Sequence, residues 1–350
     1  MPAERRFQVM AKPIGAACNL RCAYCYYLAK ATPGDMRMTD VVLERYLWNL
    51  LDAAPDGPVD IIWQGGEPTI RGLPFFRRAA DLAGQFARRR QTVRHVLQTN
   101  GTLLDDEWGE FLAENDFLVG LSMDGPAQLH DVYRVDAAGR GSHALVARGW
   151  QVLRRHNVHV NLMCAVHQAN QGHPVQVYQY FRDVLGAQYL QFIPVVERPL
   201  ASRCVTPTGW GEFMCSVFDQ WMGGDVGRIF VQQFDVILSN LRGRYTLCVH
   251  APTCGDALIV EKDGGIYRCD HFVDPAYYAG NIATMSLRDV VNSPQQRQFG
   301  EAKLDSLPNR CVDCPVRWAC HGGCPKDRDA AGINYLCEGY QMFFNHVAAW

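Results

Sequence analysis

Three cysteines lie close together near the start of the chain, in the stretch Cys-Asn-Leu-Arg-Cys-Ala-Tyr-Cys. Cys18, Cys22 and Cys25 are separated by three and then two residues, so this stretch supplies three thiolates and no fourth. Because iron–sulfur clusters that store electrons usually take four protein thiolates, the spacing predicts a [4Fe-4S] cube with one iron left open. The same three thiolates are also compatible with an incomplete zinc site.

Eight of the other eleven cysteines lie between Cys248 and Cys337. Inside this segment, Cys254 is followed by nine residues, Gly264, four residues and Cys269, and a later run has gaps of two, five and three residues between Cys311, Cys314, Cys320 and Cys324. Eight thiolates are enough for two further clusters with four protein ligands each, although tetrahedral zinc would use the same residues. We expect the leftover cysteines to be core or surface thiols: Cys164, Cys204 and Cys215.

The N-terminal loop resembles that of the radical SAM superfamily, and the C-terminal pattern resembles its SPASM extension. The resemblance implies three [4Fe-4S] clusters, with S-adenosylmethionine (SAM) chelated at the open iron of the first and cleaved on reduction to a 5′-deoxyadenosyl radical. It also implies a division of the eight C-terminal ligands that spacing alone does not give. By this resemblance, auxiliary cluster I takes Cys248, Cys254, Cys269 and Cys324, and auxiliary cluster II takes Cys311, Cys314, Cys320 and Cys337.

A glycine pair at the end of the second predicted strand is expected to approach SAM closely. Gln64, Gly65, Gly66 and Glu67 are similar to the superfamily's GGE motif, whose backbone and carboxylate hold the methionine amino group. Glycine lacks a side chain, so the backbone can come near a ligand there.

Further SAM contacts are expected at the ends of other strands. Ser122 and Asp124 have short polar side chains suited to ribose hydroxyls, although Asp124 before Gly-Pro is equally typical of a turn. Tyr24 holds the aromatic position that faces adenine in the superfamily. Arg134 is expected to pair with a carboxylate of SAM or substrate, or else to be a solvated surface residue. Phe192, near the end of the sixth strand, is expected to contact the adenosyl group.

These residues need a scaffold that brings strand ends together. Apolar β-rich runs alternate with amphipathic stretches up to about residue 193, which predicts repeated βα units and a parallel sheet. The predicted strands cover residues 7–11, 59–63, 93–98, 117–122, 159–166 and 189–194, and the predicted helices cover 39–53, 75–90, 105–114, 142–155 and 175–185. Thr39 and Asp105 are predicted N-caps.

Six such units predict an α/β fold, the partial (β/α)6 barrel of radical SAM enzymes, with the cysteine loop at its C-terminal rim. Beyond it, residues 210–221 and 230–241 are predicted helices, and residues 257–268 a hairpin. We predict a radical SAM domain over residues 1–235 and a SPASM domain with two auxiliary clusters over residues 236–350.

Four longer stretches narrow the resemblance to one family within the superfamily. Residues 97–103, 117–126, 190–193 and 267–270 look like the anaerobic sulfatase-maturating enzymes. Those enzymes oxidise the Cys or Ser of a sulfatase Cys/Ser-x-Pro-x-Arg motif to Cα-formylglycine, with the deoxyadenosyl radical removing a hydrogen atom from Cβ. Asp270, beside the expected ligand Cys269, matches the family's catalytic Asp and is the expected base. Without the resemblance, Asp270 would be read as a turn residue.

Two alternatives remain open at this point. Other SPASM enzymes install crosslinks or other C–H oxidations in ribosomal peptides, and similarity around the cysteines does not separate them from sulfatase maturation. A zinc-stabilised binding protein would use the same cysteines without any radical chemistry.

Composition excludes several classes of partner. The chain has 350 residues, 48% of them hydrophobic, and a formal net charge of −2, which gives no reason to expect nucleic acid or an anionic membrane. It has no apolar signal core and no run of eighteen apolar residues. Many cysteines in a sequence without a signal core indicate metal binding or redox chemistry in a reducing compartment. We therefore expect a cytoplasmic enzyme. The expected partners are a sulfatase polypeptide and an electron donor such as flavodoxin or ferredoxin.

Overall fold

Ten strands form one sheet in the computed structural model, which describes residues 7–30, 37–197 and 202–350. Its strand order is β10-β9-β8-β1-β2-β3-β4-β5-β6-β7. In chain order the strands are β1 (Gln8–Lys12), β2 (Gly57–Trp63), β3 (Gln91–Thr99), β4 (Leu118–Ser122), β5 (His159–Val166), β6 (Tyr189–Pro194), β7 (Phe230–Val231), β8 (Ala257–Glu261), β9 (Gly265–Tyr267) and β10 (Tyr278–Asn281).

The first six strands are the six predicted from sequence, and each pairs in parallel with the next. Parallel strands require crossovers of a dozen or more residues, and helices supply most of them here. Among the described residues β7 and β10 are the edges of the sheet, so it is an open, partial barrel as predicted. The carboxyl ends of β1 to β6 therefore share one rim, where barrel enzymes place their sites.

The helices follow the predicted amphipathic stretches closely in the N-terminal part. Thr39 and Asp105 are the N-caps they were predicted to be, since their side chains accept the backbone N–H of Val42 and Trp108. The helices are α1 (Asp40–Ala53), α2 (Leu73–Phe86), α3 (Asp106–Glu114), α4 (Ala127–His130), α5 (His143–Arg155), α6 (Pro174–Gln179), α7 (Pro207–Met222), α8 (Gln232–Asn240), α9 (Leu287–Asn292), α10 (Pro294–Asp305), α11 (Asn309–Val312), α12 (Arg317–Cys320) and α13 (Cys337–Ala348).

Two predicted helices differ from the structure. The stretch 175–185 is α6 followed by a π-helical turn over Tyr180–Val184, in which Leu185 N–H donates to the carbonyl of Tyr180. The stretch 230–241 begins with the short strand β7, because Phe230 and Val231 pair with Tyr189 and Leu190 before α8 starts. The predicted hairpin is present, with β8 and β9 antiparallel.

The C-terminal part continues the sheet of the N-terminal part. β8 pairs in parallel with β1 over five residue pairs, so the two predicted domains share a hydrogen-bonded strand pair. The predicted division between residues 235 and 236 would fall inside α8, and a division after Asn240 would leave that helix whole. The division into domains stays a prediction.

An aromatic cluster behind β2 anchors the sheet to the outer helices. The ring of Trp63 is fully buried and lies 5.7 Å from the rings of Tyr46, Phe75 and Phe76. Its indole N–H donates to His95 Nδ1 at 3.1 Å, which satisfies the one polar atom of a large buried side chain. β2 is thus held firmly, and the glycine pair that follows it has a fixed position. No helix in the described part of the chain is long and apolar enough to cross a membrane.

Candidate active site and cluster-binding cysteines

The loop that carries Cys18, Cys22 and Cys25 begins where β1 ends and packs on the end of β2. Gly66 N–H donates to the carbonyl of Gly15 at 2.7 Å, and Glu67 N–H donates to the carbonyl of Ala17 at 2.9 Å. A side chain at Gly66 would overlap the backbone of Ala16 and Ala17. The glycines therefore permit a close approach, and the partner in this structure is the cysteine loop.

The carboxylate of Glu67 points into the protein. It is fully buried and accepts hydrogen bonds from Thr69 (N at 3.1 Å and Oγ1 at 2.5 Å), from Thr99 Oγ1 at 2.7 Å and from the backbone N–H of Asn100 at 2.7 Å. These bonds tie the end of β2 to the end of β3. The expected contact between this carboxylate and the methionine amino group is thus not supported, although the backbone of the motif faces the cavity.

One cavity gathers most of the predicted site residues. It has a volume of about 1220 Å³ with its open mouth included, enough for a ligand of nucleotide size. Of the residues predicted to hold the first cluster or to contact SAM, those that line it are Cys18, Cys22, Cys25, Tyr24, Gln64, Gly65, Gly66, Ser122 and Arg134. Thr99 and Asn100 line it as well, and Asn100 Nδ2 lies 3.8 Å from Cys18 Sγ.

Asp124 lies behind this cavity. Its carboxylate is fully buried, with Oδ2 accepting from Tyr24 Oη at 2.6 Å and Arg134 Nε at 2.8 Å and Oδ1 accepting from the backbone N–H of Ala165 at 2.9 Å. Burial would raise the pKa of Asp124, but the charges of Arg134 and His167 outweigh it and hold the pKa well below its usual value. A direct bond to ribose is not supported. Asp124 instead orients Tyr24 and Arg134, which do line the cavity.

Phe192 also lies outside the cavity. Its side chain is fully buried and packs on Phe213, with ring centroids 5.3 Å apart, and more loosely on Phe181. Side chains alternate along a strand, so the cavity wall is formed by the next residue, Ile193, together with Pro194. A contact of the Phe192 side chain with the adenosyl group is thus not supported, and the contact of this residue with SAM stays a prediction.

Asp270 lies where the C-terminal part meets the cavity. Lys12 Nζ donates to Oδ1 at 2.5 Å, and Oδ2 accepts from Tyr26 Oη at 3.0 Å and Gln64 Nε2 at 3.5 Å. These three partners line the cavity, and the Asp270 side chain keeps 15% exposure. Burial would raise the pKa of Asp270, but Lys12 is the strongest of the groups that hold it below its usual value.

Lys12 and Tyr26 were not among the residues predicted from sequence. Lys12 is 1% exposed and also lies over the ring of Tyr27, with Nζ 3.7 Å from the centroid. A lysine that directly follows the apolar run Val9–Ala11 in a strand is a signal of a buried charge, and a buried charge needs a partner. The identity of that partner, 258 positions away in Asp270, has no signal in the sequence.

The eight C-terminal cysteines form two groups in space. Burial is the main cause that raises the pKa values of Cys254, Cys269 and Cys324. The charge of Cys248 raises each of these three pKa values further. In the second group, burial raises the pKa of Cys320 to about 12, and Cys337, Cys311 and Cys314 add to it. These four also line one small cavity. The grouping agrees with the division that the resemblance implies, while each ligand role stays a prediction.

The three sets of cysteines are suited to hold iron–sulfur clusters through their thiolates. Iron–sulfur cubes take one thiolate per iron, so their ligands stand around a volume and do not converge on one atom. Among the residues described, no three His, Cys, Asp or Glu side chains are placed to hold a single metal ion. Outside both groups and the three-cysteine loop, Cys164 and Cys204 are buried and Cys215 is half-buried.

Two family models match the chain. The model described as the radical SAM superfamily matches residues 13–181. The model described as an iron-sulfur cluster-binding domain, SPASM, matches residues 248–315. The first match covers the cysteine loop and most of the residues that line the cavity, and the second begins at Cys248.

Characterised proteins match over nearly the whole chain. The chain is 40% identical to the serine-type anaerobic sulfatase-maturating enzyme of Bacteroides thetaiotaomicron, over 100% of this chain and 91% of the relative. It is 32% identical to the cysteine-type anaerobic sulfatase-maturating enzyme of Clostridium perfringens, over 97% and 95%. A solved structure of native anSMEcpe with bound AdoMet and the Kp18Cys peptide superimposes with a TM-score of 0.91 at 32% identity, over 98% of this chain and 97% of that one.

Proposed function

This chain belongs to the anaerobic sulfatase-maturating enzymes, and from that premise we propose how its own residues carry out the reaction. Members of the family are radical SAM oxidoreductases that use three [4Fe-4S] clusters and SAM. The reaction converts one Cys or Ser of a sulfatase to Cα-formylglycine. The observation that carries our proposal is the position of Asp270, held by Lys12, Tyr26 and Gln64 at the cavity that the first three cysteines line.

The cofactors, when bound, supply a deoxyadenosyl radical that removes one hydrogen atom from Cβ of the substrate, a bond with no useful acidity. The substrate radical must then lose a proton from its thiol or hydroxyl and one electron, which the auxiliary cluster that Cys269 would help to hold would accept. We assign the proton to Asp270. Since Lys12 holds the pKa of Asp270 below its usual value, the carboxylate is ionised and ready to accept it. In the Cys case, hydrolysis of the thioaldehyde completes the reaction.

Tyr26 offers a route between substrate and base. Its hydroxyl lines the cavity and already donates to Asp270 at 3.0 Å, so the hydroxyl oxygen can accept the substrate proton while its own proton passes to the carboxylate. Burial is the main cause that raises the pKa of Tyr26 well above its usual value, and Asp270 adds to it. Tyr26 therefore stays protonated and acts as a relay. Gln64 Nε2, at 3.5 Å from the same carboxylate oxygen, fixes its orientation.

The SAM site is proposed from the residues that line the cavity. We assign SAM contacts to Tyr24, Gln64, the backbone of Gly65 and Gly66, Ser122 and Arg134. Cys18, Cys22 and Cys25 would hold the first cluster, which supplies the electron that cleaves SAM. The two C-terminal groups of four cysteines would hold the auxiliary clusters.

A one-electron donor is needed to start each cycle, and we propose flavodoxin or ferredoxin for this role. Clusters held by fourteen-cysteine chains of this kind need reduced thiolates, and thiols stay reduced in the cytosol, so we propose that the reaction takes place in the cytoplasm. Purified flavodoxin or ferredoxin with its reductase should replace dithionite in the assay below.

The test uses anaerobically reconstituted enzyme, SAM, a reductant and two peptides that carry Cys-x-Pro-x-Arg or Ser-x-Pro-x-Arg. Formylglycine is located by tandem mass spectrometry, and 5′-deoxyadenosine is measured in the same sample. We expect formylglycine with at least one peptide. In Asp270→Asn its rate should fall by roughly 10²- to 10⁴-fold, the usual contribution of general-base help, while SAM is still cleaved.

Tyr26→Phe separates the relay from the base. It removes the hydroxyl and keeps the ring, so formylglycine formation should fall while SAM cleavage continues. Tyr189→Phe is the matched control, because Tyr189 is exposed at the far end of β6. If Asp270→Asn makes formylglycine at the wild-type rate, the proposed base is wrong. If the wild type cleaves SAM and leaves both peptides unmodified, their Cys and Ser motifs are not its substrates.

A further inference from the structure

We propose that Arg328 is a charged hydrogen-bond donor shared by the two auxiliary clusters and that it raises the reduction potential of at least one of them. The proposal rests on the auxiliary clusters assigned above. It concerns how readily they accept an electron, which the family assignment leaves open.

The guanidinium of Arg328 is fixed by protein acceptors on one side only. Nε donates to the carbonyl of Gly322 at 3.1 Å, and Nη1 donates to the carbonyl of Lys303 and to Ser306 Oγ, both at 2.9 Å. Nη2 is buried and finds no hydrogen-bond partner among the described residues. A buried donor without an acceptor destabilises the protein, and more so when it is charged. The free N–H groups therefore call for an acceptor that this part of the chain, as far as the structure describes it, does not provide.

Cysteines of both groups act on the charge of this side chain. Cys311 and Cys320 come from the second group and Cys254 and Cys324 from the first, and all four act electrostatically on Arg328. Burial raises the pKa of Cys311, and Arg328 is the strongest influence that opposes it. The guanidinium thus interacts electrostatically with cysteines of both groups, and its unpaired Nη2 is the donor available to them.

Lys303 places a second positive charge beside the first group. It is 1% exposed, and its Nζ donates to the carbonyls of Cys248, Val249 and Ala251 at 2.5, 3.0 and 2.5 Å. These three carbonyls accept all three N–H groups of the Lys303 ammonium. The main role of Lys303 is to position the turn that carries Cys248, so its removal would disturb the ligand itself. Arg328 contacts no ligand through a hydrogen bond and is the cleaner residue to change.

A positive charge beside a cluster favours its reduced form. Reduction adds one electron and no proton, so the cluster with its four thiolates becomes more negative. Net charge and hydrogen bonds to the sulfurs are among the factors that set the potential. An elementary charge within about 12 Å, at an effective dielectric constant of about 20, changes the reduction equilibrium by about tenfold.

The test compares Arg328→Gln with Arg328→Lys in the reconstituted holoenzyme. Dithionite titration with redox mediators, followed by EPR, gives the potential of each cluster, and iron and sulfide analysis shows that all three are present. We expect Arg328→Gln to lower the reduction equilibrium constant of at least one auxiliary cluster by about tenfold, or about 59 mV for one electron. Arg328→Lys keeps the charge and should shift it less. The SAM-binding cluster, recognised because its signal responds to SAM, is the internal reference.

Unchanged potentials of both auxiliary clusters in Arg328→Gln, at full iron content, would overturn the proposal. An equal shift in the Gln and Lys variants would also overturn it, because geometry and not charge would then be the cause. If Arg328→Gln loses its clusters, its potentials are not measured. Wild-type enzyme labelled with [guanidino-¹⁵N]arginine is then examined instead. A ¹⁵N coupling to a reduced auxiliary cluster that disappears in Arg328→Lys supports the proposal, and no such coupling overturns it. All measurements omit the peptide, so a failure to form formylglycine leaves them unaffected.

Discussion

Gly66→Ala tests whether the end of β2 positions the cysteine loop. An added methyl carbon would stand 2.5 Å from the carbonyl carbon of Ala17 and closer still to its oxygen, whereas carbon atoms in good contact lie about 3.5–4.0 Å apart. The loop next to Cys18, or the end of β2, must therefore move by about 1 Å. The hydrogen bond from Glu67 N–H to the Ala17 carbonyl, 2.9 Å long, would break or stretch with that movement.

A shift of this size should be seen in SAM cleavage. Misplacing reacting groups by about 1 Å can cost roughly 100-fold in rate, so we expect 5′-deoxyadenosine formation without peptide to fall by about that factor. Iron analysis then separates two causes. About eight irons per chain, in place of about twelve, would show that the loop no longer holds its cluster. About twelve irons with slow cleavage would show that the cluster is held and SAM is misplaced.

Gly84→Ala is the matched control for this variant. Gly84 lies inside α2, where an added methyl group meets nothing within 4 Å, and alanine is favoured over glycine in a helix. It should leave SAM cleavage and iron content unchanged. If Gly66→Ala cleaves SAM at the wild-type rate with full iron content, the close contact between β2 and the cysteine loop does not position the site.

Three other changes test the rest of the site. Lys12→Met removes the charge beside Asp270 and leaves a buried carboxylate unpaired, so formylglycine formation should fall by roughly 10²- to 10⁴-fold while 5′-deoxyadenosine still forms; equal loss of both products would contradict a role through Asp270. Asp124→Asn breaks a buried ion pair with Arg134 and should lower the free energy of unfolding in urea by about 3–5 kcal/mol; a loss below 1 kcal/mol, the range of surface pairs, would contradict it. Because Arg134 and His167 overcome the effect of burial and hold the pKa of Asp124 well below its usual value, this difference should persist at neutral pH and shrink only in acid. Cys320→Ala removes one ligand from the second C-terminal group, so iron should fall from about twelve to about eight per chain while SAM cleavage without peptide continues.

Local pattern was enough to predict the strands and the helix starts of the N-terminal part. The strands β5 and β6 begin and end at the predicted residues, because a run of apolar and β-branched residues bounded by polar ones has few other structures open to it. Thr39 and Asp105 could be predicted as caps since their side chains act within three residues of themselves. In the C-terminal part, helices such as α10 carry little apolar periodicity, and packing against the cysteine turns determines them.

The direction of a side chain at the end of a strand was harder to predict than its position in the sequence. Glu67, Asp124 and Phe192 all lie at strand ends near the cavity, yet each side chain points away from it. A motif fixes the backbone of such a residue, but neighbouring donors decide where a carboxylate points. The donors to Glu67 come from β3 and the turn after β2, and no sequence pattern connects them. For Phe192, a shift of one residue along β6 exchanges the two faces of the strand.

The parallel pairing of β8 with β1 is what joins the radical chemistry to the oxidation of the substrate. It sets the hairpin of β8 and β9 beside the end of β1, so that Asp270, after the hairpin, meets Lys12 at the end of β1. The proposed base therefore contacts three residues of the cavity that Cys18, Cys22 and Cys25 line, namely Lys12, Tyr26 and Gln64, only because a strand from the C-terminal part completes the sheet. This arrangement predicts that changes of the Asp270 or Lys12 side chain leave SAM cleavage intact, because the cysteine loop and the glycine pair are joined by backbone hydrogen bonds from Gly66 and Glu67 that involve neither side chain.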